Sequence, residues 1–142
     1  MGKSPEGLLL IGRRDLRWSN SFMHNLPALV KGRNRSVLQV SSSDANRIGL
    51  DHGAAARITS RVGSLVAPVE VTEDLMPGVV SLPHGWGLNV EGSQLTAAKA
   101  PGGANANALT DDRKYDEASG SAALFGTPVV VEPFVQKPQR LA

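Results

Sequence analysis

AAARITSRVGSLVAPVEVT, residues 54–72, holds two strand candidates joined by a short linker. The candidates are residues 54–60 and 65–72, and both are short apolar runs of the length that strands favour. Gly63 in the linker can supply the positive φ of a hairpin turn. This stretch therefore predicts a β-hairpin, and it directs the interpretation of the whole chain toward a mainly-β domain.

The same pattern of short apolar runs between turns continues along the rest of the chain. Its 15 glycines and 9 prolines interrupt the apolar runs at close intervals. Further strand candidates are residues 8–11, 36–40, 79–82 and 128–133. Short strands with frequent turns favour a barrel or a sandwich over a helical bundle. We expect a closed, mainly-β barrel.

Two short helices and one long loop are predicted between the strands. The helices are expected at residues 44–48, where Gly49 ends the pattern, and at residues 73–76, which Pro77 stops. From residue 89 to residue 107 the sequence consists largely of Gly, Ala, Asn and Ser. This composition predicts a long surface loop.

Length and composition favour one soluble domain. The chain has 142 residues, of which 41% are hydrophobic, and no stretch reaches the roughly 18 uninterrupted apolar residues of a membrane helix. The first residues, MGKSPEGLLLIG, have too short an apolar run for a signal peptide and no small-residue cleavage site. We expect a single domain over residues 1–142, in the cytoplasm and without membrane contact.

Charge and cysteine content exclude several classes of protein. A net charge of +2 suits an anionic ligand but is too small for the basic arm of a nucleic-acid-binding protein. The chain has no cysteine, so it lacks disulfides, a thiolate nucleophile and thiolate ligands for zinc or an iron–sulfur cluster. Nucleic acid is therefore not an expected partner.

GRRDLRWSNSFMHNLP, residues 12–27, is the richest candidate site. Gly12 permits close backbone approach, and three arginines supply fixed-charge forks for phosphate. Neutral hydrogen-bonding groups come from Ser19, Asn20, Ser21, His24 and Asn25. The alternative is a solvated basic loop, but Trp18 and Phe22 are unexpected there because such a loop makes little use of large apolar side chains. We call residues 12–25 the first loop.

Two later segments could complete a binding site. SLPHGWG, residues 81–87, places His84 and Trp86 between glycines after a strand, where they could contact a ligand or only close the core. NANALTDD, residues 105–112, offers amides and carboxylates that could read the donors of a guanine, although helix capping is their commoner use. Residues 83–87 are the second loop and residues 105–112 the third loop.

The three histidines do not indicate a metal site, and no catalytic residue is expected. His24, His52 and His84 have no metal-ligand spacing and no accompanying thiolate. A Ser-His-Asp hydrolase is disfavoured because the sequence has no G-x-S-x-G motif. We expect His52 to be an exposed turn residue.

Taken in order, these segments resemble the molydopterin dinucleotide-binding domain of the dimethyl sulfoxide reductase family of molybdenum and tungsten oxidoreductases, which includes formate dehydrogenases and nitrate reductases. The matching pieces are LLIGRRDLRWSNSFMHNLP, SSSDANRIGLDHG with AAARITS, VTEDLMPGVVSLPHGWG, NANALTDD and SGSAALFGTPVVVE. They extend over residues 8–132. Two positions depart from the pattern: Phe22 stands where relatives often carry tryptophan, and Leu88 where many carry histidine.

The resemblance implies a six-stranded double-psi β-barrel that binds part of a molybdopterin guanine dinucleotide. The cofactor-lining residues that it implies are Gly12, Arg13, Ser19, Asn20, Ser21, His24, Asn25, His84, Gly85, Trp86 and Asn107. The metal ligand and most of the substrate channel would lie in upstream domains of a formate-dehydrogenase-like or nitrate-reductase-like enzyme. The isolated chain would then be inactive, and its partners would be those upstream domains.

Two alternatives remain compatible with the sequence. A double-psi barrel can also be a non-enzymatic module that recognises protein or nucleic acid, since one fold hosts many functions. A self-processing decarboxylase of the same barrel type would need an internal Gly-Ser cleavage point, and Gly63-Ser64 and Gly120-Ser121 are present.

Overall fold

Six β-strands close into one barrel in the computed structural model, which describes residues 7–24, 26–87 and 104–135. The elements in chain order are β1 (Leu8–Arg13), α1 (Pro27–Val30), β2 (Leu38–Ser41), α2 (Ser42–Ile48), β3 (Ala55–Thr59), β4 (Ser64–Thr72), β5 (Val79–Pro83), a 3₁₀ helix (Ala106–Leu109) and β6 (Thr127–Pro133). All six predicted strands are confirmed. The predicted loop at residues 89–107 lies outside the described residues up to residue 103.

The strands follow the order β1-β5-β2-β4-β3-β6 around the barrel. The pairs β1·β5 and β2·β4 are parallel, and the other four pairs are antiparallel. The expected hairpin is β3·β4, whose register runs from Ala55 opposite Pro68 to Thr59 opposite Ser64. The fold is the double-psi β-barrel that the resemblance implied.

The core lies inside the barrel because alternate strand residues point inward. On β6, Val129 and Val131 are buried, whereas Val130 between them is exposed. On β3, Ala56 and Ile58 alternate in the same way with less buried neighbours. Because the barrel interior is apolar, the polar side chains of a binding site are expected in the loops at the barrel ends.

Two local predictions were wrong. Gly63 does not have a positive φ. Glycine suits this position for another reason, because a Cβ here would lie 2.5 Å from the carbonyl oxygen of Ala108. Residues 73–75 form a bend and residue 76 is irregular, so no helical turn is present there. There the Thr72 hydroxyl accepts a hydrogen bond from the backbone N–H of Asp74, a local bond that competes with helix formation.

The helix α2 is fixed at both ends, and its Asp44 connects it to the segment before β5. The Ser41 hydroxyl caps the helix by accepting from the Asp44 N–H, and Gly49 ends it with φ +80°. The Asp44 carboxylate accepts from the Gly78 N–H at 2.7 Å and from Arg47 at 2.7 Å. Although burial opposes ionisation, these hydrogen bonds lower the pKa of Asp44. The helix predicted at residues 44–48 is confirmed and begins two residues earlier.

Candidate functional site

The first, second and third loops meet at one end of the barrel. Because β1 and β5 are parallel, with Arg13 opposite Pro83, the loops that follow them leave the barrel at the same edge. They enclose with the third loop a groove of about 280 Å³. Its lining residues are Arg14, Asn20, Ser21, His84, Gly85, Trp86, Asn105, Ala106, Asn107 and Leu124. Residues of all three loops therefore line one groove.

Three aromatic rings pack together behind this groove. The His24 imidazole stacks on the Trp86 indole with centroids 4.4 Å apart, and Trp18 meets both rings edge-on. His24 is completely buried, and Trp18 and Trp86 are nearly so. Burial lowers the pKa of His24, an effect that the nearby Gly85 backbone partly offsets although its geometry falls short of a hydrogen bond. His24 is therefore held as a neutral imidazole at neutral pH.

Polar atoms of this aromatic cluster have unused hydrogen-bonding capacity. Among the described residues, neither ring nitrogen of His24 nor the indole nitrogen of Trp86 has a hydrogen-bond partner. Buried polar atoms are normally paired, and leaving them unpaired costs stability. These nitrogen atoms are shielded from solvent, so a ligand in the groove would reach them only if the aromatic cluster rearranged.

Glycines allow the first and second loops to touch through their backbones. Gly85 has φ +83°, and a Cβ there would overlap the carbonyl oxygen of Asn20. A Cβ at Gly12 would overlap the His84 imidazole. Asn20 itself has a positive φ of 52°, a conformation that asparagine tolerates better than most residues. The two loops thus form one packed unit.

Arg13 is held by the protein backbone. Its guanidinium donates to the carbonyl oxygens of Ser81 at 2.8 Å, Arg35 at 3.1 Å and Val37 at 2.9 Å. Burial lowers its pKa to about 10, partly offset by the charges of Glu70 and Asp15. Arg13 lines a different, charged cavity and not the groove. Its side chain braces β5 and the segment before β2.

Arg14, one of the three arginines of the first loop but not among the residues that the resemblance implied, supplies the positive charge of the groove. Its guanidinium donates to the Asn20 side-chain oxygen. Burial, and after it the charge of Arg14, lowers the pKa of His84. Two consecutive residues of an extended chain point to opposite sides, but the sequence RR does not say which of them faces the site.

The third loop contributes amides, not carboxylates. The Asn105 side-chain oxygen accepts from the Asn107 N–H at 3.1 Å, at the start of the 3₁₀ helix. Both carboxylate oxygens of Asp111 are bound by Arg61, and one also accepts from the Arg113 N–H. The Asp111 carboxylate is therefore already paired with Arg61. It is not placed to accept hydrogen bonds from a guanine, a role that its residue type had suggested.

The remaining candidates differ in how they lie relative to the groove. Asn20, Ser21, His84, Gly85, Trp86 and Asn107 line the groove. Gly12 lines a small adjoining cavity with His84 and Asn107, and His24 packs behind Trp86. Ser19 pairs with Phe22 through a backbone bridge and does not line the groove. Asn25 lies outside the described residues. Asn105, one of the amides noted in the third loop, also lines the groove, whereas Leu124 was not a candidate because no sequence pattern distinguished it from its neighbours.

Neither a membrane-spanning helix nor a metal-binding cluster is found in the described part of the chain. None of the helices in the described ranges is long and apolar enough to cross a membrane. Within residues 7–24, 26–87 and 104–135, no group of three or more His, Asp or Glu side chains could hold a metal ion. His52 is exposed, as expected, and its Nδ1 accepts from the Val71 N–H at 3.3 Å.

A double-psi barrel whose end loops gather one cation, several amides and an aromatic cluster around a groove has the form of a cofactor-binding domain. Comparison with protein families identifies which one. The profile of the molydopterin dinucleotide binding domain matches residues 8–128, and the chain belongs to this family.

Similar proteins are much longer than this chain. The molybdopterin-containing subunit of an arsenate respiratory reductase from Shewanella sp. (strain ANA-3) is 35% identical over 66% of this chain, and a tetrathionate reductase chain from Salmonella typhimurium is 32% identical over 44%. The chain spans 11% and 6% of their lengths. Acetylene hydratase from Pelobacter acetylenicus superposes on 89% of this chain and 18% of its own, with TM-score 0.74 and 21% identity. At that identity the likeness establishes the fold alone.

Proposed function

We propose that the groove binds part of a molybdopterin guanine dinucleotide, within a larger molybdenum or tungsten oxidoreductase. The observation that carries the proposal is the convergence of three loops that are distant in sequence on one groove lined by Arg14, Asn107 and Trp86. A pterin joined through a pyrophosphate to guanosine needs a cation, neutral donors and acceptors, and an apolar surface together. Belonging to the molydopterin dinucleotide binding family supports the cofactor class.

The residues present fit such a ligand. Arg14 is the cation for a phosphate oxygen, because its guanidinium lies at the groove, whereas the donors of Arg13 are used by three carbonyls. Asn20 and Asn107 offer amides to heterocycle edges, and His24 supports the groove from behind by stacking on Trp86. Contacts from Gly12, Ser21, Asn25, His84 and Gly85, which the family resemblance implied, remain part of the proposal, whereas Arg13 and Ser19 do not line the groove.

The groove holds only part of the cofactor. A volume of about 280 Å³ lies just below the usual range for small-molecule sites, and a pterin dinucleotide is larger than most single ligands. The remaining surface of the cofactor would face upstream domains of the same polypeptide. When bound, the cofactor supplies the metal and the electron transfer, while this domain binds and orients it. The isolated chain is expected to be inactive.

The parent enzyme is proposed from the relatives. These relatives are arsenate and tetrathionate reductases, which favours the reduction of an oxyanion as the parent reaction. The formate-dehydrogenase-like or nitrate-reductase-like type expected from the resemblance stays a prediction. The upstream domains would be the partners, without contact to a membrane or to nucleic acid, and the expected location is the cytoplasm.

The test uses two matched arginine variants of the parent enzyme. Arg14→Gln removes the cation of the groove, and Arg33→Gln removes an exposed arginine that is paired with Glu70 outside it. Pterin content is measured by fluorescence after oxidation, and the nucleotide by the GMP released on acid hydrolysis. We expect Arg14→Gln to lose cofactor and Arg33→Gln to keep it. Equal cofactor content in both variants, or a released nucleotide other than GMP, would contradict the proposal.

A further inference from the structure

Outside the groove, the tip of the β3–β4 hairpin touches the back of the third loop. Arg61 binds Asp111 through two parallel hydrogen bonds, from Nε and from Nη2, both 2.5 Å long. These bonds raise the pKa of Arg61 and lower that of Asp111, because each charge stabilises the other. Asp112 lies 3.3 Å from the same guanidinium but is 89% exposed, so this second pair contributes little.

Two further contacts hold the same short segment. The Gly63 backbone lies so close to Ala108 that a Cβ would come within 2.5 Å of its carbonyl oxygen. Leu109, the next residue, is completely buried in the barrel core. Ala108, Leu109 and Asp111 are thus attached to the barrel on one side.

The opposite side of this segment faces the groove. Asn105 and Asn107 line the groove, and Arg61 and Gly63 do not. The backbone between the two sides is short and internally bonded, since the Ala108 N–H donates to the Asn105 carbonyl and the Thr110 N–H to that of Asn107. Displacing Asp111 would therefore displace Asn107.

We propose that Arg61, seated beside Gly63 at the hairpin tip, is a positioning residue that holds Asn107 at the groove by binding Asp111. The hairpin turn is then part of the site, although it does not touch the ligand. This inference rests on the proposed function, because the groove is taken as the cofactor site. Its first consequence is that the third loop is held in place, and this can be measured in the present chain without the cofactor.

The first experiment measures amide hydrogen exchange in Arg61→Gln and in Arg57→Gln. Arg57 is a matched control, since it lies on the same hairpin, is 44% exposed against 47% for Arg61, and pairs with Glu132 away from the third loop. We expect exchange at Ala108 and Thr110 to be about tenfold faster in Arg61→Gln, with the barrel strands unchanged, and no change in Arg57→Gln. Unchanged exchange at these two amides would overturn the proposal.

Exchanging the two charges of the pair gives a second test, which does not depend on one variant that folds poorly. Arg61→Asp alone should free the third loop, and adding Asp111→Arg should restore slow exchange because the pair is re-formed with its charges exchanged. Failure of the double variant to recover any protection would count against a specific ion pair.

The second experiment measures the rate of cofactor loss from the parent enzyme. Arg61→Gln and Asn107→Ala should each accelerate it several-fold, and the double variant should lose cofactor no faster than Asn107→Ala, because Arg61 acts through Asn107. Additive effects would overturn the positioning role. An unchanged rate in Asn107→Ala alone would instead contradict the proposed site, and the exchange result would still decide whether Arg61 holds the loop.

Discussion

The imidazole of His24 lies against the indole of Trp86, with ring centroids 4.4 Å apart and planes inclined by 30°. His24 belongs to the first loop and Trp86 to the second, so this contact joins two segments that are 62 positions apart in sequence. The backbone contact between Gly85 and Asn20 reinforces the same junction. Several consequences of this packing can be measured.

The free energy of unfolding should fall as the pH is lowered from about 7 to about 5. Burial lowers the pKa of His24 and of His84 below the ordinary value of 6.5. The unfolded chain therefore binds protons in this window that the folded chain does not, and stability is lost until the folded pKa values are passed. Urea unfolding across this range should show a shallower pH dependence in His24→Gln. An unchanged slope in His24→Gln would contradict the burial of the His24 imidazole.

Gly85→Ala should destabilise the chain more than Gly53→Ala. Both glycines have nearly the same backbone conformation, with φ +83° and +84°. A Cβ at Gly53 meets nothing within 4 Å, whereas at Gly85 it overlaps Asn20. Gly53→Ala should cost about 1–2 kcal/mol for the left-handed backbone, and Gly85→Ala about 1–3 kcal/mol beyond that for the overlap. Equal unfolding free energies of the two variants in urea would show that the loops are not in backbone contact.

Arg13→Lys and Arg14→Lys should have different effects on folding. Lysine cannot reproduce the fork by which Arg13 reaches three separate carbonyl groups, so part-buried acceptors would lose their donor. We expect a loss of about 1–3 kcal/mol in unfolding free energy for Arg13→Lys and under about 0.5 kcal/mol for Arg14→Lys. Chemical denaturation of both variants measures this, and a larger loss in Arg14→Lys would reverse the roles assigned to the two arginines.

Asp44→Asn should lower the unfolding free energy by about 2 kcal/mol at neutral pH, because charge-assisted hydrogen bonds to Arg47 and Gly78 are weakened. The folded pKa of Asp44 is lowered, so its contribution is present above the unfolded pKa and disappears as the pH falls toward the folded value. The difference between variant and unaltered chain should therefore shrink below about pH 4. Asp51→Asn, at an exposed aspartate, is the control and should change stability little.

The strands could be predicted from sequence because each is a short apolar run set off by turn residues. Which side chains are buried then follows from the alternation of inward- and outward-facing residues along a strand. The helix at residues 73–76 was predicted wrongly because a local hydrogen bond to the Thr72 hydroxyl replaced helical bonding. The resemblance supplied the topology, which local patterns do not encode.

The site was predictable as a set of loops and less so residue by residue. Three polar, glycine-containing or amide-rich segments indicated where the groove would form. The sequence does not show whether Arg13 or Arg14 faces the groove. That depends on which guanidinium donates to the carbonyl oxygens of Ser81, Arg35 and Val37. The pairing of Asp111 with Arg61 spans 50 positions and has no local signature.

The second loop joins the two walls of the groove through glycine contacts on both sides. Gly85 lies against the Asn20 carbonyl of the first loop, and Gly87 lies against the Asn105 backbone of the third loop. The third loop is held from behind by the buried Leu109 and by the Arg61–Asp111 pair. The width of the groove is therefore set by two glycines, and a larger residue at either position is expected to separate its walls.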